Sequence, residues 1–212
     1  MPLPRVVKEG EIIMKKCFIL LLLITISNCS TPVKQTPLEE RISRFDQIFN
    51  EHPEFVTDYF DFPIKDKNNY GYYMSQSFGN FHSSIKKYHV AEDWVGKLGS
   101  PTYSISNGFV RMVGNMGYGW GNVVFVVYKL KVNDKYKYVE AFYAHIDKVK
   151  VKEYTLIKRG DEIGTIGTAG GAWKPHLHFE LRSNLEALSH GYEKTTGGYL
   201  DPTQFITERK KH

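Results

Sequence analysis

Beyond residue 29 the chain has no cysteine, since Cys17 and Cys29 are the only two. The rest of it can therefore form neither an internal disulfide nor a thiolate metal site, and any metal must be held by His, Asp or Glu. Long apolar runs are missing too. The stretch Cys17 to Ile26 is ten residues, against the roughly 20 that a helix needs to cross a hydrocarbon core of about 30 Å. Low-complexity tracts and internal repeats are absent, and 42% hydrophobic against 24% charged residues in a chain of 212 predicts one folded domain of ordinary size with appendages. The net charge of +5, with basic clusters at Lys86, Lys87 and Arg209 to Lys211, is mild. No helix-turn-helix, zinc-finger or RNP pattern accompanies it, so a nucleic-acid partner is not expected and an anionic surface accounts for the balance.

The N-terminus reads as an address. Lys15 and Lys16 precede the apolar stretch, and Ser27-Asn28-Cys29 follows it, which is the layout of a secretory signal over residues 1–28, with Met14 as an alternative start. A cysteine at this point resembles a bacterial lipobox, although Asn28 stands where Gly or Ala is common. Cys29 is then the lipidation site, and the membrane a partner through its lipid. Residues 29–37 carry Pro32 and Pro37 and read as a tether.

Leu38, Ile42, Phe45 and Phe49 recur at helical spacing with charged residues between them, which predicts an amphipathic helix within a helical or extended segment over 38–69. From about Tyr70 the texture changes to short Val-, Ile-, Tyr- and Phe-rich runs broken by Gly, Asn and Asp. Strands are expected at Tyr72 to Gln76, Ser104 to Val113, Val123 to Leu130, Tyr136 to Phe142, Glu162 to Ile166 and Leu177 to Arg182, with a hairpin turn at Asn133-Asp134. The expected fold is mainly β: an antiparallel sheet domain over 70–206 with a β-sandwich-like groove, preceded by the short helix and followed by a basic tail, 207–212.

Of eight histidines, four fall in three informative settings: His89-Val90-Ala91-Glu92-Asp93, Tyr143-Ala144-His145 and His176-Leu177-His178. On a strand, residues two apart share a face, so His176 and His178 project together while Leu177 and Phe179 face the core. Catalytic zinc commonly takes three protein ligands and leaves a position for water. His89, Asp93 and one of the His176/His178 pair supply that number, leaving the other and His145 to handle protons. Glu180 shares the face of His178 and is either a partner to an imidazole or part of a structural salt bridge. Gly114 to Gly121 reads as a glycine-rich loop bordering a site, and Gly117 to Asn122 with Gly167 to Trp173 read as groove walls, with Tyr118, Trp120 and Trp173 as candidate substrate contacts. His52, His82, His190 and His212 lack such a setting and read as ordinary residues.

The order of these pieces, His-x-x-x-Asp, a glycine-rich loop, Tyr-Ala-His, repeated glycines and then Lys-Pro-His-Leu-His-Phe-Glu-Leu, resembles the lysostaphin and LytM-type zinc endopeptidases from about Tyr88 to Asp201-Pro202. The resemblance implies one Zn²⁺ per chain on His89, Asp93 and His178, catalytic roles for His145 and His176, and peptidoglycan as substrate, cut by metal-activated water. Ala91 stands where that family usually has Gly. With the lipobox, it implies an exported protein anchored in the envelope and facing the periplasm, acting as a D,D-endopeptidase, with a regulatory envelope protein left unidentified. It also implies that Asp46 to Asn69 could lie over the groove as an inhibitory segment. The alternative is a non-catalytic module that binds peptidoglycan or activates an amidase.

Overall fold

The structure is a computed structural model that describes residues 37–65, 71–185 and 190–210. The leader, Cys29, nearly all of the tether and His212 lie outside the described residues. Among those described, no helix is long and apolar enough to cross a membrane.

Residues 36–212 form one compact unit. It begins with helix α1 (Leu38–Glu51), which buries Phe45 and Phe49 as the spacing predicts, and a short 3-10 turn, Pro53–Phe55. The first strands are β1 (Tyr73–Gln76), β2 (Phe81–His82), β3 (Lys87–His89), β4 (Glu92–Val95) and β5 (Pro101–Tyr103). Three long strands follow: β6 (Gly108–Asn115), β7 (Asn122–Val132) and β8 (Lys135–Val149). The chain closes with β9 (Thr155–Ile157), β10 (Glu162–Ile166), β11 (His176–Arg182), β12 (Tyr192–Glu193), β13 (Tyr199–Leu200) and helix α2 (Pro202–Thr207).

The strand pairings are antiparallel. The large sheet runs β1-β4-β11-β8-β7-β6-β9, with β10 pairing both β5 and β8, and β12-β3-β2 form a small second sheet. The turn between β7 and β8 is made by Asn133 and Asp134, both at positive φ, the conformation of a two-residue hairpin loop whose twist suits antiparallel strands.

Alternation sorts the side chains of the large sheet. One face carries Val124, Val126, Tyr128, Ala141, Tyr143, Leu177, Phe179 and Leu181, packed with Phe60, Ile105, Ile163, Phe205 and Ile206 into the main core. Phe60 thus ties the stretch after α1 into the body of the domain. The opposite face carries Val123, Phe125, Phe142 and Ala144 in a smaller cluster, with His178 and Glu180 beside them by register. Farther along β7, Val127 packs with α1 through Phe45 and Phe49. Asp46 of α1 accepts hydrogen bonds from Lys129 Nζ and Tyr138 Oη at 2.5 and 2.6 Å. The described part of the stretch from Asp46 onward is therefore taken up in packing, Phe60 in the main core and Phe55 beside α1. Its apolar side chains are spent on burial there, and residues 66–69 lie outside the described residues.

Candidate metal and catalytic site

Each of the sequence-predicted polar residues reaches the site by a local rule. In β4 and β11 the register sets His178 opposite Asp93 and His176 opposite Val95. His89 ends β3 and is joined to β4 by Val90 and Ala91 alone, both fully buried. Ala91 is not among the residues at positive φ, so alanine there carries no left-handed strain. Glu92 alternates away from Asp93 and accepts hydrogen bonds from Trp94 Nε1 and Thr203 N, which removes it as a ligand.

His145 arrives differently. β7 pairs Val124 with Tyr143 and Asn122 with Ile146, so Ala144 and His145 together oppose Val123, a β-bulge. His145 has φ 61°, a left-handed conformation that His adopts more readily than most residues. The bulge shifts the alternation by one, so that Tyr143 and Ile146 both face the main core while His145 joins the site. Gly167 lies so close behind that a Cβ there would meet the His145 carbonyl oxygen at 2.7 Å, which explains the glycine.

Asp93 Oδ1 is the centre of the cluster. It lies 2.8 Å from His178 Nδ1, 3.4 Å from His89 Nε2 and 3.8 Å from His176 Nε2. The His145 and His176 ring centroids are 4.5 Å apart, and His145 is 5.5 Å from His178. The other ring nitrogens are committed to acceptors, which sets the tautomers. His89 Nδ1 donates to Ser77 O, His145 Nδ1 to Trp120 O, His176 Nδ1 to Lys174 O and His178 Nε2 to Glu180 Oε1. A carbonyl oxygen or a carboxylate only accepts, so the opposite nitrogen of each ring is the one that faces the site.

The donor set fits a cation. His89, Asp93 and His178 each offer one ligand atom, and these lie within 4.8 Å of one another. With its Nδ1 proton committed, His89 turns a lone pair toward the Asp93 oxygen, an arrangement that only a cation or a second proton makes favourable. Burial by itself would raise Asp93, but the hydrogen bond from His178 Nδ1 and the charge of that imidazole hold it well below the usual carboxylate range. Burial by itself would lower His178, yet Asp93 and Glu180 push it up to about 9. In the metal-free protein a proton on Nδ1 therefore stands where a metal would bind.

This has a measurable consequence. The His178 pKa is raised above its ordinary 6.5, so its proton stabilises the metal-free fold below that value, and the contribution is lost as pH rises through about 9. A metal must displace that proton, so apparent affinity should fall about tenfold for each pH unit below 9. Calorimetric titration of zinc into the metal-free chain in two buffers of different ionisation enthalpy should show proton release at pH 7. A binding heat that does not depend on the buffer would contradict the assignment.

The candidate wall residues divide. Tyr118 and Trp173 are exposed, at 82% and 54%, and Trp173 Nε1 donates to Gly119 O at 2.8 Å, linking the two glycine-rich loops. Trp120 lies beneath the imidazoles, stacked on His145 at 5.9 Å and edge-on to His178 at 5.3 Å. His190, read from sequence as ordinary, is part of this wall: its ring is 4.2 Å from Phe142 and 5.6 Å from Trp120, and its Nδ1 accepts from Arg182. No local pattern marks His190, whereas Arg182 is visible in the alternation His178, Glu180, Arg182 once the strand is recognised.

The profile of peptidase family M23 matches residues 87–190. The chain is 36% identical over 90 residues to lipoprotein NlpD of Yersinia enterocolitica, 42% of this chain and 84% of that one. It belongs to peptidase family M23. The family member is also 37% identical over 93 residues to peptidoglycan DD-endopeptidase ShyB of Vibrio cholerae, 44% of this chain but 20% of ShyB. Lysostaphin of Staphylococcus simulans shares the fold, with a TM-score of 0.51 at 24% identity over 70% of this chain and 55% of that one. The match to ShyB is thus a match of the M23 domain.

Proposed function

We propose that this M23 protein is a zinc-dependent endopeptidase that hydrolyses peptide cross-links of peptidoglycan, with the D,D-bond as its target. The observation that carries the reading is the convergence of His89, Asp93 and His178 on one ligand position, with Nε2 of His176 turned to the same carboxylate oxygen and the His145 ring packed against His176. The 37% identity to a peptidoglycan DD-endopeptidase over the same domain supports the bond class.

His89, Asp93 and His178 would hold the Zn²⁺, which when bound supplies an activated water and polarises the scissile carbonyl. The protein's part is to move protons and hold groups. Burial, together with His178 and His176 beside it, pushes His145 down to about 3, so it enters neutral with its Nε2 lone pair available. His176 is fixed in the same tautomer by Lys174 O. The two imidazoles can take the proton of the attacking water and return it to the leaving amine.

Tyr118 tips the loop whose Gly117, Gly119 and Gly121 all have positive φ, beside the imidazoles. Tyr118→Ala is expected to raise KM severalfold with kcat retained, and to change unfolding free energy by less than about 0.5 kcal/mol, because the side chain is exposed. An unchanged KM would remove it from the groove. The lipid on Cys29, the signal 1–28, the tether 29–37 and an envelope location remain part of the proposal. They are tested by metabolic labelling with a fatty acid beside Cys29→Ala.

The function is tested by digesting purified sacculi with the protein beginning at Ser30 and identifying the fragments by mass. Loss of cross-linked dimers with a gain of monomers is expected. Sacculi that bind the protein but stay cross-linked would instead favour the binding module.

A further inference from the structure

Behind His178 lies a line of buried charges that the proton chemistry does not use. Glu180 Oε1 accepts from His178 Nε2 at 3.0 Å and from Gly191 N at 2.7 Å. Its Oε2 accepts from Arg182 Nε at 3.0 Å and Nη2 at 2.6 Å. Arg182 Nη1 is 3.8 Å from Glu140 Oε2, and Glu140 Oε1 accepts from Arg111 Nε at 2.5 Å. Glu180, Arg182 and Glu140 are 0, 1 and 2% exposed.

Such a line is a poor source of stability. Burying each ion costs several kcal/mol of desolvation, and well-packed apolar side chains of similar volume often serve as well or better. What an apolar replacement cannot supply is an acceptor for the Nε2 proton of His178. We infer that Glu180 and Arg182 are positioning residues that set how tightly the centre holds its metal, an inference that rests on the reading of His89, Asp93 and His178 as its ligands. Glu180 fixes the ring so that Nδ1, not Nε2, faces Asp93, and its negative charge raises the basicity of that nitrogen. Arg182 grips the second oxygen with two N–H groups, so the carboxylate cannot swing toward the metal itself.

The loop end completes the clamp. Gly191 has φ 77°, and a Cβ there would meet Trp120 at 3.0 Å. A side chain there would be strained by the positive φ and would press on Trp120, so glycine suits the residue whose N–H reaches Glu180. His190 accepts from Arg182 beside it.

The test reads metal affinity rather than turnover. In Glu180→Gln the shape is kept, but the charge is lost and the amide NH₂ is turned toward Arg182. Chelator competition should show zinc held about 10- to 100-fold more weakly, and the visible bands of the Co²⁺-loaded variant should shift, with the circular dichroism of the metal-free form unchanged. Arg182→Lys, which cannot grip in two places, should weaken zinc in the same direction. The same question can be put to the unmodified chain, which needs no variant to fold. With ¹¹³Cd bound and imidazoles labelled with ¹⁵N, coupling should appear at His178 Nδ1, with Nε2 protonated and slow to exchange. A folded Glu180→Gln that keeps zinc within about twofold, or cadmium coupling at Nε2, would overturn the inference. An unmodified chain that takes up no metal would overturn the centre itself, and is told apart by that chain's own zinc content.

Discussion

Replacing His178 with alanine is expected to abolish both metal retention and sacculus digestion while leaving a folded chain. Structural zinc sites with four ligands are worth about 10–16 kcal/mol, so one ligand accounts for about 3 kcal/mol, or about a hundredfold in affinity. The fold should survive, because the carboxylates that lose His178 keep other partners. Glu180 retains Arg182 and Gly191 N, and Asp93, whose side chain is 14% exposed, can turn to water. The expected loss of stability is about 1–3 kcal/mol, that of a buried hydrogen-bonded group removed. His176→Ala makes the contrast. Its Nε2 is 3.8 Å from Asp93 and it stands outside the ligand set, so the variant should keep zinc while losing about 10²- to 10⁴-fold in kcat. Equal zinc content in the two variants would collapse the division between ligand and proton carrier.

Phe60→Ala should have the largest effect on stability, about 3–5 kcal/mol. Phe60 is fully buried, with its ring edge-on to Phe205 at 4.9 Å and to Tyr128 at 5.8 Å. Its backbone N–H also donates to Arg209 O near the C-terminus. Truncation leaves a cavity under the main core that the rigid sheet cannot close. For a domain whose total stability is about 5–15 kcal/mol, urea unfolding should shift by about a fifth or more of the midpoint. A chain cut near Tyr70 loses the same ring together with Phe62 and Ile64, which pack on that core, so it should express poorly. A loss below about 1 kcal/mol for Phe60→Ala would mean that the stretch after α1 is dispensable.

The antiparallel sheet was legible because β10 and β11 are short apolar runs bounded by turn residues, and because Asn133-Asp134 is a strong hairpin signal. The alternation in His176-Leu177-His178 also placed two imidazoles on one face. Other features escaped because nothing local marks them. β8 runs on to Val149, seven residues past the expected end at Phe142, since Tyr-Ala-His carries no turn residue to end a strand. The bulge at His145 depends on Val123 of the neighbouring strand, and a single-sequence pattern contains no pairing partner. β3 and β4 are three and four residues long, too short for periodicity to register. His190 owes its place to packing on Phe142 and to Arg182, contacts made across the sheet rather than along the chain.

The most direct test of the account is the metal content of the protein beginning at Ser30, purified without added metal, together with its loss on chelation. One zinc per chain, removed by a chelator and restored along with sacculus digestion when zinc is returned, is the predicted result. A folded chain that carries no zinc, and digests sacculi no faster or slower when zinc is supplied, would contradict it.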